Sequence, residues 1–340
     1  MNVSVIGAGS WGTALSLALA ENCPQVTLWA RRRELMQTIS ETGENRDYLP
    51  GVTLPQNVSV TVDLEEAVRN KDALVLVVPS HTIRSMARQI APLAKKNAIV
   101  ISCAKGLEED TFRRMTQVLA EELPACAAAA LSGPNHAEEV GRRIPSATVV
   151  TAEKQAVAET VQDLFMTRFL RVYTNPDMAG VELGGALKNI IALGAGISDG
   201  QGFGDNTKAA LMTRGLTEIA RLGMKLGAEP LTFAGLSGIG DLMVTCMSEH
   251  SRNRSLGVEL GRGKKLDDLL AGMHMVAEGV RTTRAAYQLA KLHGVEMPIT
   301  TQIYQVLFTD KDPHAAMIDL MKRGKKHERE EIVPTKYQAW

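Results

Sequence analysis

The sequence predicts a doubly wound α/β sheet in the N-terminal half of the chain, followed by an all-helical C-terminal domain. In the first half, short apolar runs alternate with segments of helical period, which is typical of parallel strands covered by helices on both faces. This alternation stops near Tyr173–Pro176, and helical segments follow it. Because 340 residues fit two domains, we place them at residues 1–175 and 176–340.

Six apolar runs, each too short for a helix, are the predicted strands: Val3–Ile6, Val26–Trp29, Ala73–Val78, Ile99–Cys103, Ala127–Leu131 and Thr148–Val150. The helices predicted between them include Ser10–Glu21, Thr82–Leu93 and Asp110–Leu123. Those of the second half are Ala179–Ile197, Asn206–Leu226, Leu266–Leu270 and Arg281–His293. Strands that alternate with helices indicate a parallel sheet.

Composition excludes several classes of protein. Lys+Arg and Asp+Glu both number 38, so the net charge of +0 argues against a general nucleic-acid-binding surface. The four cysteines form no CxxC or CxxH pair, so we expect neither a metal site nor a disulfide framework, and a reducing cytoplasm fits. We expect no signal peptide, and no run of 18 apolar residues predicts a membrane span.

The segment Gly7–Gly12 has the spacing G-x-G-x-x-G directly after the first predicted strand and at the start of the first predicted helix. That context is the one a dinucleotide-binding loop requires. Gly7 allows the tight turn, Gly9 lets the backbone approach the diphosphate, and Gly12 lets the helix pack close to the sheet. The spacing and its context therefore predict that the first domain is Rossmann-like and binds a nicotinamide dinucleotide. The alternative is a tight turn without a ligand.

The end of the second strand distinguishes NAD from NADP. An acidic residue there would accept hydrogen bonds from the ribose 2′-hydroxyl, but Arg31, Arg32 and Arg33 stand there instead. Guanidinium groups can hold a phosphate, and positive charge at a helix N-terminus favours a partner anion. We therefore predict that NADP(H) is preferred through Arg31 and Arg32, with NAD(H) possible. The alternative is a solvated run of charges.

Two more loops follow predicted strands at the edge where the ligand crevice of such sheets lies. In Cys103–Gly106, Lys105 can meet both a coenzyme and an anionic substrate, or it is a solvated loop lysine. The loop Ser132–Ala137 is tight enough for its backbone to border the nicotinamide. Its His136 is either an acid–base group or a structural or solvated residue.

An apolar helical segment in the second half carries Lys188. Gly184 and Gly185 leave room there for a close approach, and Lys188 is either functional or a lysine that extends to the surface. Asp241 and Thr245 are four residues apart and share a helical face. Asp241 either caps its helix or orients a lysine.

The segment His250–Arg254 places several hydrogen-bond donors in a short loop. Such a cluster suits a phosphate dianion. The alternative is an ordinary basic surface loop.

Taken together, these segments closely resemble the bacterial-type NAD(P)-dependent glycerol-3-phosphate dehydrogenases. The matches keep their order over nearly the whole chain: GAGSWGTAL at 7–15, CAKG at 103–106, SGP at 132–134, ALKN at 186–189, GIGDL at 238–242, SRNR at 251–254 and VAEG at 276–279. The resemblance implies interconversion of dihydroxyacetone phosphate and sn-glycerol 3-phosphate, at the entry to phospholipid synthesis. It also implies a homodimer.

The resemblance also implies roles for individual residues, with Lys188 as the proton donor and acceptor. Implied substrate contacts are Lys105, Gly133, Asn135, Lys188, Asp241, Ser251, Arg252 and Asn253. Implied coenzyme contacts are Gly7, Gly9, Ser10, Trp11, Gly12, Arg31, Arg32, Lys105, Ala137, Arg252, Val276 and Glu278. The family usually has Ser or Thr directly after Ser-Gly-Pro, so Asn135 puts the side-chain role of that position in doubt.

In the implied reaction, hydride transfer to the C2 carbonyl leaves an alkoxide, which the Lys188 ammonium protonates. Two other functions compete with this one. A related lysine-dependent Rossmann reductase would act on another keto or hydroxy acid, although the cluster at Ser251–Arg254 argues against a substrate without phosphate. A dinucleotide-sensing regulator would need the glycine loop but no lysine–aspartate pair.

Overall fold

The computed structural model describes residues 1–272, 277–325 and 328, and it divides into two compact units. Unit 1 comprises Met1–Glu108 and Arg113–Glu182, and unit 2 comprises Glu109–Phe112 and the chain from Leu183 onward. The predicted domain boundary at residue 175 falls just after the last strand of the sheet. The assignment of coenzyme binding to 1–175 and substrate binding to 176–340 stays a prediction.

Unit 1 is built on one eight-stranded sheet. Its strands are β1 (Val3–Ile6), β2 (Val26–Trp29), β3 (Val58–Thr61), β4 (Ala73–Leu76), β5 (Ile99–Ser102), β6 (Ala127–Ser132), β7 (Ser146–Ala152) and β8 (Leu170–Thr174). They lie in the order β3-β2-β1-β4-β5-β6-β7-β8. The first six are parallel and follow the strand order of dinucleotide-binding sheets, so the predicted Rossmann-like fold is confirmed.

The sheet departs from the prediction at one edge. The run Thr148–Val150 lies in β7, which pairs antiparallel with β6, so the expectation of a parallel strand is wrong there. Strands covered on both faces read as apolar runs in either direction, so the sequence pattern carries no strand direction. The prediction also missed β3 and β8. In β3 only Thr61 is buried, and in β8 only Leu170 and Val172 are, so neither strand forms a continuous buried apolar run.

Seven helices belong wholly to unit 1: α1 (Ser10–Asn22), α2 (Arg33–Thr42), α3 (Leu64–Val68), α4 (Ile83–Ile90), α5 (Met115–Glu122), α6 (Ala137–Gly141) and α7 (Gln155–Phe165). Small and apolar side chains of α1, including Ala14, Leu15 and Leu19, are fully buried in the core beside the sheet. Helix α5 starts five residues later than predicted, because Leu107 and Arg114 first pair as an isolated β-bridge.

The helices from α8 onward are α8 (Met178–Gly200), α9 (Asp205–Lys225), α10 (Pro230–Phe233), α11 (Asp241–Met247), α12 (Arg252–Gly261), α13 (Leu266–Ala271), α14 (Glu278–His293), α15 (Pro298–Phe308) and α16 (Pro313–Met321). A π-type turn at Leu236–Gly240 leads into α11. Helix α8 begins in unit 1 and continues into unit 2, and all its residues from 180 to 198 are buried. The described part of unit 2 is helical, as predicted.

Two stretches of the described residues, Met178–Gly200 and Pro230–Met247, are long and apolar enough to span a membrane by length and composition. Burial inside the protein covers 94% of the apolar window in the first and 44% in the second. A buried core helix meets the same criterion, so neither stretch supports a membrane span.

Candidate active site

The glycine loop between β1 and α1 leaves space over its centre. Gly7 has φ +123°, and a Cβ there would lie 2.4 Å from the carbonyl oxygen of Val77. A Cβ on Gly12 would lie 1.8 Å from the carbonyl oxygen of Gly7. A Cβ on Gly9, by contrast, would meet nothing within 4 Å. Two glycines are therefore required by the protein itself, and the third keeps a space open where a diphosphate fits.

The N-terminus of α1 points its backbone donors at this space. Gly9 is the N-cap residue and supplies no side-chain cap, while Ser10 and Trp11 open the first turn and are partly exposed. The unpaired N–H groups and the dipole of a helix N-terminus bind anions. The described residues therefore fit the diphosphate of a dinucleotide.

A buried side chain supports the loop from below. Asn45 has no exposed surface, and its Nδ2 donates to the carbonyl oxygen of Ala8 at 3.0 Å and to Oγ1 of Thr13 at 2.7 Å. Sequence reasoning missed Asn45, because it lies in the long connection between α2 and β3, away from any motif. Its two bonds fix the loop backbone relative to α1.

The three arginines follow β2 after one residue, Ala30. The last residue of β2 accepts a hydrogen bond from the glycine loop (Gly7 N to Trp29 O, 3.1 Å). Arg31 is exposed. Arg32 is the N-cap residue of α2, and its Nη2 lies 2.6 Å from Oδ2 of Asp47. The protein itself thus supplies an anion for Arg32, and the charge at this helix start does not by itself demand a coenzyme phosphate.

Lys105 and the loop after β6 come together in unit 1. Lys105 Nζ donates to the carbonyl oxygen of Gly133 at 2.7 Å. Gly133 has φ +144°, and a Cβ there would lie 3.1 Å from Cα of Thr148. Asn135 Nδ2 donates to the carbonyl oxygen of Ala147 at 2.9 Å, so the residue that departs from the family pattern braces the loop against β7.

Ala137 and Cys103 of unit 1 lie in the two segments that follow β6 and β5. Ala137 is the buried first residue of α6, with His136 as N-cap. Cys103 is buried, and burial raises the pKa of its thiol, so thiolate chemistry at Cys103 is disfavoured.

The central feature of unit 2 is a buried ion pair. Lys188 is 6% exposed in the middle of α8, and Asp241, the first residue of α11, is 1% exposed. Lys188 Nζ donates to Oδ1 of Asp241 and to Oγ1 of Thr245, and Thr245 Oγ1 also lies 2.6 Å from the carbonyl oxygen of Asp241. Lys188 therefore does not extend to the surface, and Asp241 faces a lysine.

Thr245 was not predicted as a site residue, although its spacing of four residues from Asp241 was the available signal. Gly184 explains how α11 comes so close to α8. A Cβ on Gly184 would lie 2.4 Å from the carbonyl oxygen of Ser237, in the turn that leads into α11. The room left at this glycine is filled by protein backbone.

Helix α12 presents the predicted phosphate-binding residues at its N-terminus. Ser251 is the N-cap and accepts from the backbone N–H of Arg254 at 3.3 Å, and Arg252 is exposed in the first turn. Arg254 pairs with Asp199 at 2.7 Å. Of the two arginines in the predicted cluster, Arg254 is therefore held by a carboxylate of the protein.

Asn253 joins three helices. Its Nδ2 donates to Oδ1 of Asn189 on α8 at 3.0 Å, and its Oδ1 accepts from the backbone N–H of Gly279 on α14 at 2.9 Å. Asn253 thereby holds Asn189, which is the neighbour of Lys188, and Gly279 in the first turn of α14. Glu278, the first residue of α14, is partly exposed. The predicted coenzyme contact Val276 lies outside the described residues.

No group of three or more His, Cys, Asp or Glu side chains within residues 1–272, 277–325 and 328 is arranged to hold a metal ion.

Comparison with known proteins identifies a family for both halves of the chain. The family model for the NAD-dependent glycerol-3-phosphate dehydrogenase N-terminus matches residues 2–158, and the model for the C-terminus matches residues 177–318. A glycerol-3-phosphate dehydrogenase [NAD(P)+] of Pelotomaculum thermopropionicum is 58% identical over 97% of this chain and 95% of its own length. The Bacillus subtilis protein of the same name is 52% identical over 98% and 97%.

Solved structures of glycerol-3-phosphate dehydrogenases are also similar to this chain. A glycerol-3-phosphate dehydrogenase from Coxiella burnetii matches with a TM-score of 0.91 and 36% identity, over 95% of this chain and 99% of that one. A ketopantoate reductase from Ralstonia eutropha, at 18% identity and a TM-score of 0.60, shares the fold alone. The chain therefore belongs to the NAD-dependent glycerol-3-phosphate dehydrogenase family.

Proposed function

We propose that this chain is an sn-glycerol-3-phosphate dehydrogenase that reversibly reduces dihydroxyacetone phosphate, prefers NADP(H) and also accepts NAD(H). The observation that carries the proposal is the buried Lys188, held by Asp241 and Thr245. The names of the close relatives support the activity and the use of both coenzymes. The product is a precursor for phospholipid synthesis.

The coenzyme is assigned to the edge of the sheet at the glycine loop. Gly7, Gly9 and Gly12 shape the cradle, Ser10 and Trp11 offer the first-turn N–H groups, and Arg31, Arg32, Lys105, Ala137, Arg252, Val276 and Glu278 are further proposed contacts. When bound, the coenzyme supplies the hydride. The open space at Gly9 is the observation that supports this assignment.

Lys188 supplies the proton. In its ammonium form it donates to the oxygen that becomes negative when the carbonyl is reduced, and in the reverse direction its neutral amine accepts that proton. Asp241 and Thr245 orient the ammonium, so its donors point in fixed directions before substrate binds. A positioned acid of this kind accelerates proton transfer by about 100- to 10,000-fold.

The substrate phosphate is assigned to the N-terminus of α12. Arg252 provides a charged donor there, and Ser251 and Asn253 flank it. One N–H of the Asn253 amide is used by Asn189, and we assign the other to the substrate. Lys105, Gly133, Asn135, Lys188 and Asp241 are the remaining proposed contacts.

The proposal is tested by following NADPH absorbance with purified enzyme. We expect absorbance to fall only when dihydroxyacetone phosphate is added. A flat trace with ample enzyme would reject the proposed activity. Consumption with an unphosphorylated keto acid instead would favour the related lysine-dependent reductase.

Arg31→Ala tests the coenzyme preference. Loss of a charged donor to the 2′-phosphate should raise the KM for NADPH by about tenfold, while the KM for NADH stays near its wild-type value. Initial rates with each coenzyme measure the ratio. If the ratio does not move, Arg31 does not recognise the phosphate.

We further propose that the enzyme is a cytoplasmic homodimer. Light scattering coupled to size-exclusion chromatography measures the mass of the assembly. A mass close to 36.8 kDa, that of one chain, would exclude the dimer.

A further inference from the structure

The pairing of Arg32 with Asp47 lies where dinucleotide-binding folds recognise the adenosine ribose. Those folds carry an acid at the end of β2 when they bind the 2′-hydroxyl. Here the residues after β2 are arginines, and the carboxylate of Asp47, in the connection between α2 and β3, pairs with one of them, Arg32. Asp47 thus places an acid beside an arginine that follows this strand end.

The backbone around Asp47 is fixed beside the glycine loop. Two residues before it, the buried Asn45 donates to the carbonyl oxygen of Ala8. Two residues after it, Leu49 is 2% exposed and packs against Gly141 of α6. The Asp47 side chain itself is 51% exposed, so a held backbone presents an accessible carboxylate.

The side chain of Arg32, unlike the backbone around Asp47, lies near the protein surface. Its side chain is 45% exposed, its Nη2 lies 2.6 Å from Oδ2 of Asp47, and its guanidinium carbon lies 5.6 Å from the ring centre of Tyr48. Exposed ion pairs of this kind contribute little to stability. A ligand anion can therefore take Arg32 from Asp47 at small cost.

The two coenzymes differ only at the ribose 2′ position, which carries a hydroxyl in NAD(H) and a phosphate dianion in NADP(H). A carboxylate accepts a hydrogen bond from the hydroxyl but repels the phosphate, whereas a guanidinium attracts the phosphate. We propose that Asp47 is a specificity-determining residue, which accepts the 2′-hydroxyl of NAD(H) and competes with the 2′-phosphate of NADP(H) for Arg32. This inference rests on the proposed coenzyme site.

The test is calorimetric titration of NAD+ and NADP+ into wild type and Asp47→Asn, without substrate. Removal of the competing charge should lower the Kd for NADP+ by about two- to fivefold. Loss of the charged acceptor should raise the Kd for NAD+ by about three- to tenfold. Asp47→Ala should move both constants in the same directions, and Arg32→Ala should weaken NADP+ binding and leave NAD+ binding nearly unchanged.

The matched control is Asp319→Asn, which removes an equally exposed carboxylate (50%) from its ion pair with Lys311 in unit 2. Its two dissociation constants should equal those of wild type. If wild type binds both coenzymes and Asp47→Asn keeps the wild-type ratio of the two constants, Asp47 has no role in specificity. If wild type binds neither coenzyme, the proposed coenzyme site is itself wrong.

Discussion

The glycine loop of unit 1 and the buried lysine of unit 2 are built in opposite ways. The loop consists of backbone, and its central glycine leaves space that no described atom fills within 4 Å of an added Cβ. Around Lys188 the side chains are buried and already paired. The loop is thus suited to receive a ligand, whereas the lysine is suited to keep a reactive group in one orientation.

The glycine loop and the buried lysine also differ in how much they destabilise the protein when their partners are absent. A backbone loop with its N–H groups near solvent loses little without its ligand, because water satisfies the donors. A buried ammonium is unfavourable unless it is paired and hydrogen-bonded. We therefore expect the stability of unit 2 to depend on the pairing of Asp241 with Lys188, whereas the stability of unit 1 should depend little on whether a ligand occupies the glycine loop.

The largest expected effect is that of Lys188→Ala on turnover. The substitution removes the proton donor, so kcat should fall by about 100- to 10,000-fold. Steady-state kinetics with dihydroxyacetone phosphate and NADPH measure the loss. Lys225→Ala, at an exposed position near the end of α9, is the matched control and should keep wild-type kcat. Near-normal turnover in Lys188→Ala would reject the role of the lysine.

Asp241→Asn should impair both activity and stability. The substitution leaves the buried ammonium without its carboxylate, and breaking such a pair costs about 3–5 kcal/mol. Thermal unfolding should show a clear loss of stability, and kcat should fall because the ammonium is no longer oriented. The double variant Lys188→Met/Asp241→Leu should unfold closer to wild type than Asp241→Asn does. If the single variant is the more stable of the two, the ion pair is not a stability requirement.

A smaller effect separates two glycines of the loop. Gly12→Ala places a Cβ 1.8 Å from the carbonyl oxygen of Gly7 and should lower the melting temperature. The added methyl group of Gly9→Ala meets no protein atom within 4 Å, so this variant should fold like wild type. Its coenzyme binding should weaken by about tenfold, because the methyl group would occupy space that the coenzyme fills when bound. Melting curves and coenzyme titrations of the two variants test this contrast. Equal melting and equal binding would show that the space at Gly9 is not used.

Sequence reasoning predicted the parts of the molecule that local patterns encode. The spacing of Gly7–Gly12 after an apolar run predicted the loop, and the four-residue spacing of Asp241 and Thr245 placed both on one face of a helix. Contacts between residues far apart in the chain could not be predicted from local spacing. The spacing did not decide between a capping and a lysine-orienting role for Asp241, because that choice depends on how α11 packs against α8 at Gly184.

The same limit explains the missed partner of Arg32. Asp47 lies 15 residues further along, in a connection without a motif, and only the fold brings it to the guanidinium of Arg32. The direction of β7 was likewise out of reach, because a strand buried on both faces has the same apolar pattern in both directions. Charge patterns thus led to the proposal that Arg31 and Arg32 contact the coenzyme, but they did not reveal the carboxylate that pairs with Arg32.

The division of roles between the glycine loop and Lys188 is tested by the Kd for NADPH of the Lys188→Ala variant, measured by calorimetry on folded protein without substrate. The glycine loop and the arginines after β2 are unchanged in this variant. We therefore predict a Kd within about threefold of wild type, because Lys188 is not among the proposed coenzyme contacts. If the Kd rises as steeply as kcat falls, Lys188 serves coenzyme binding rather than proton transfer.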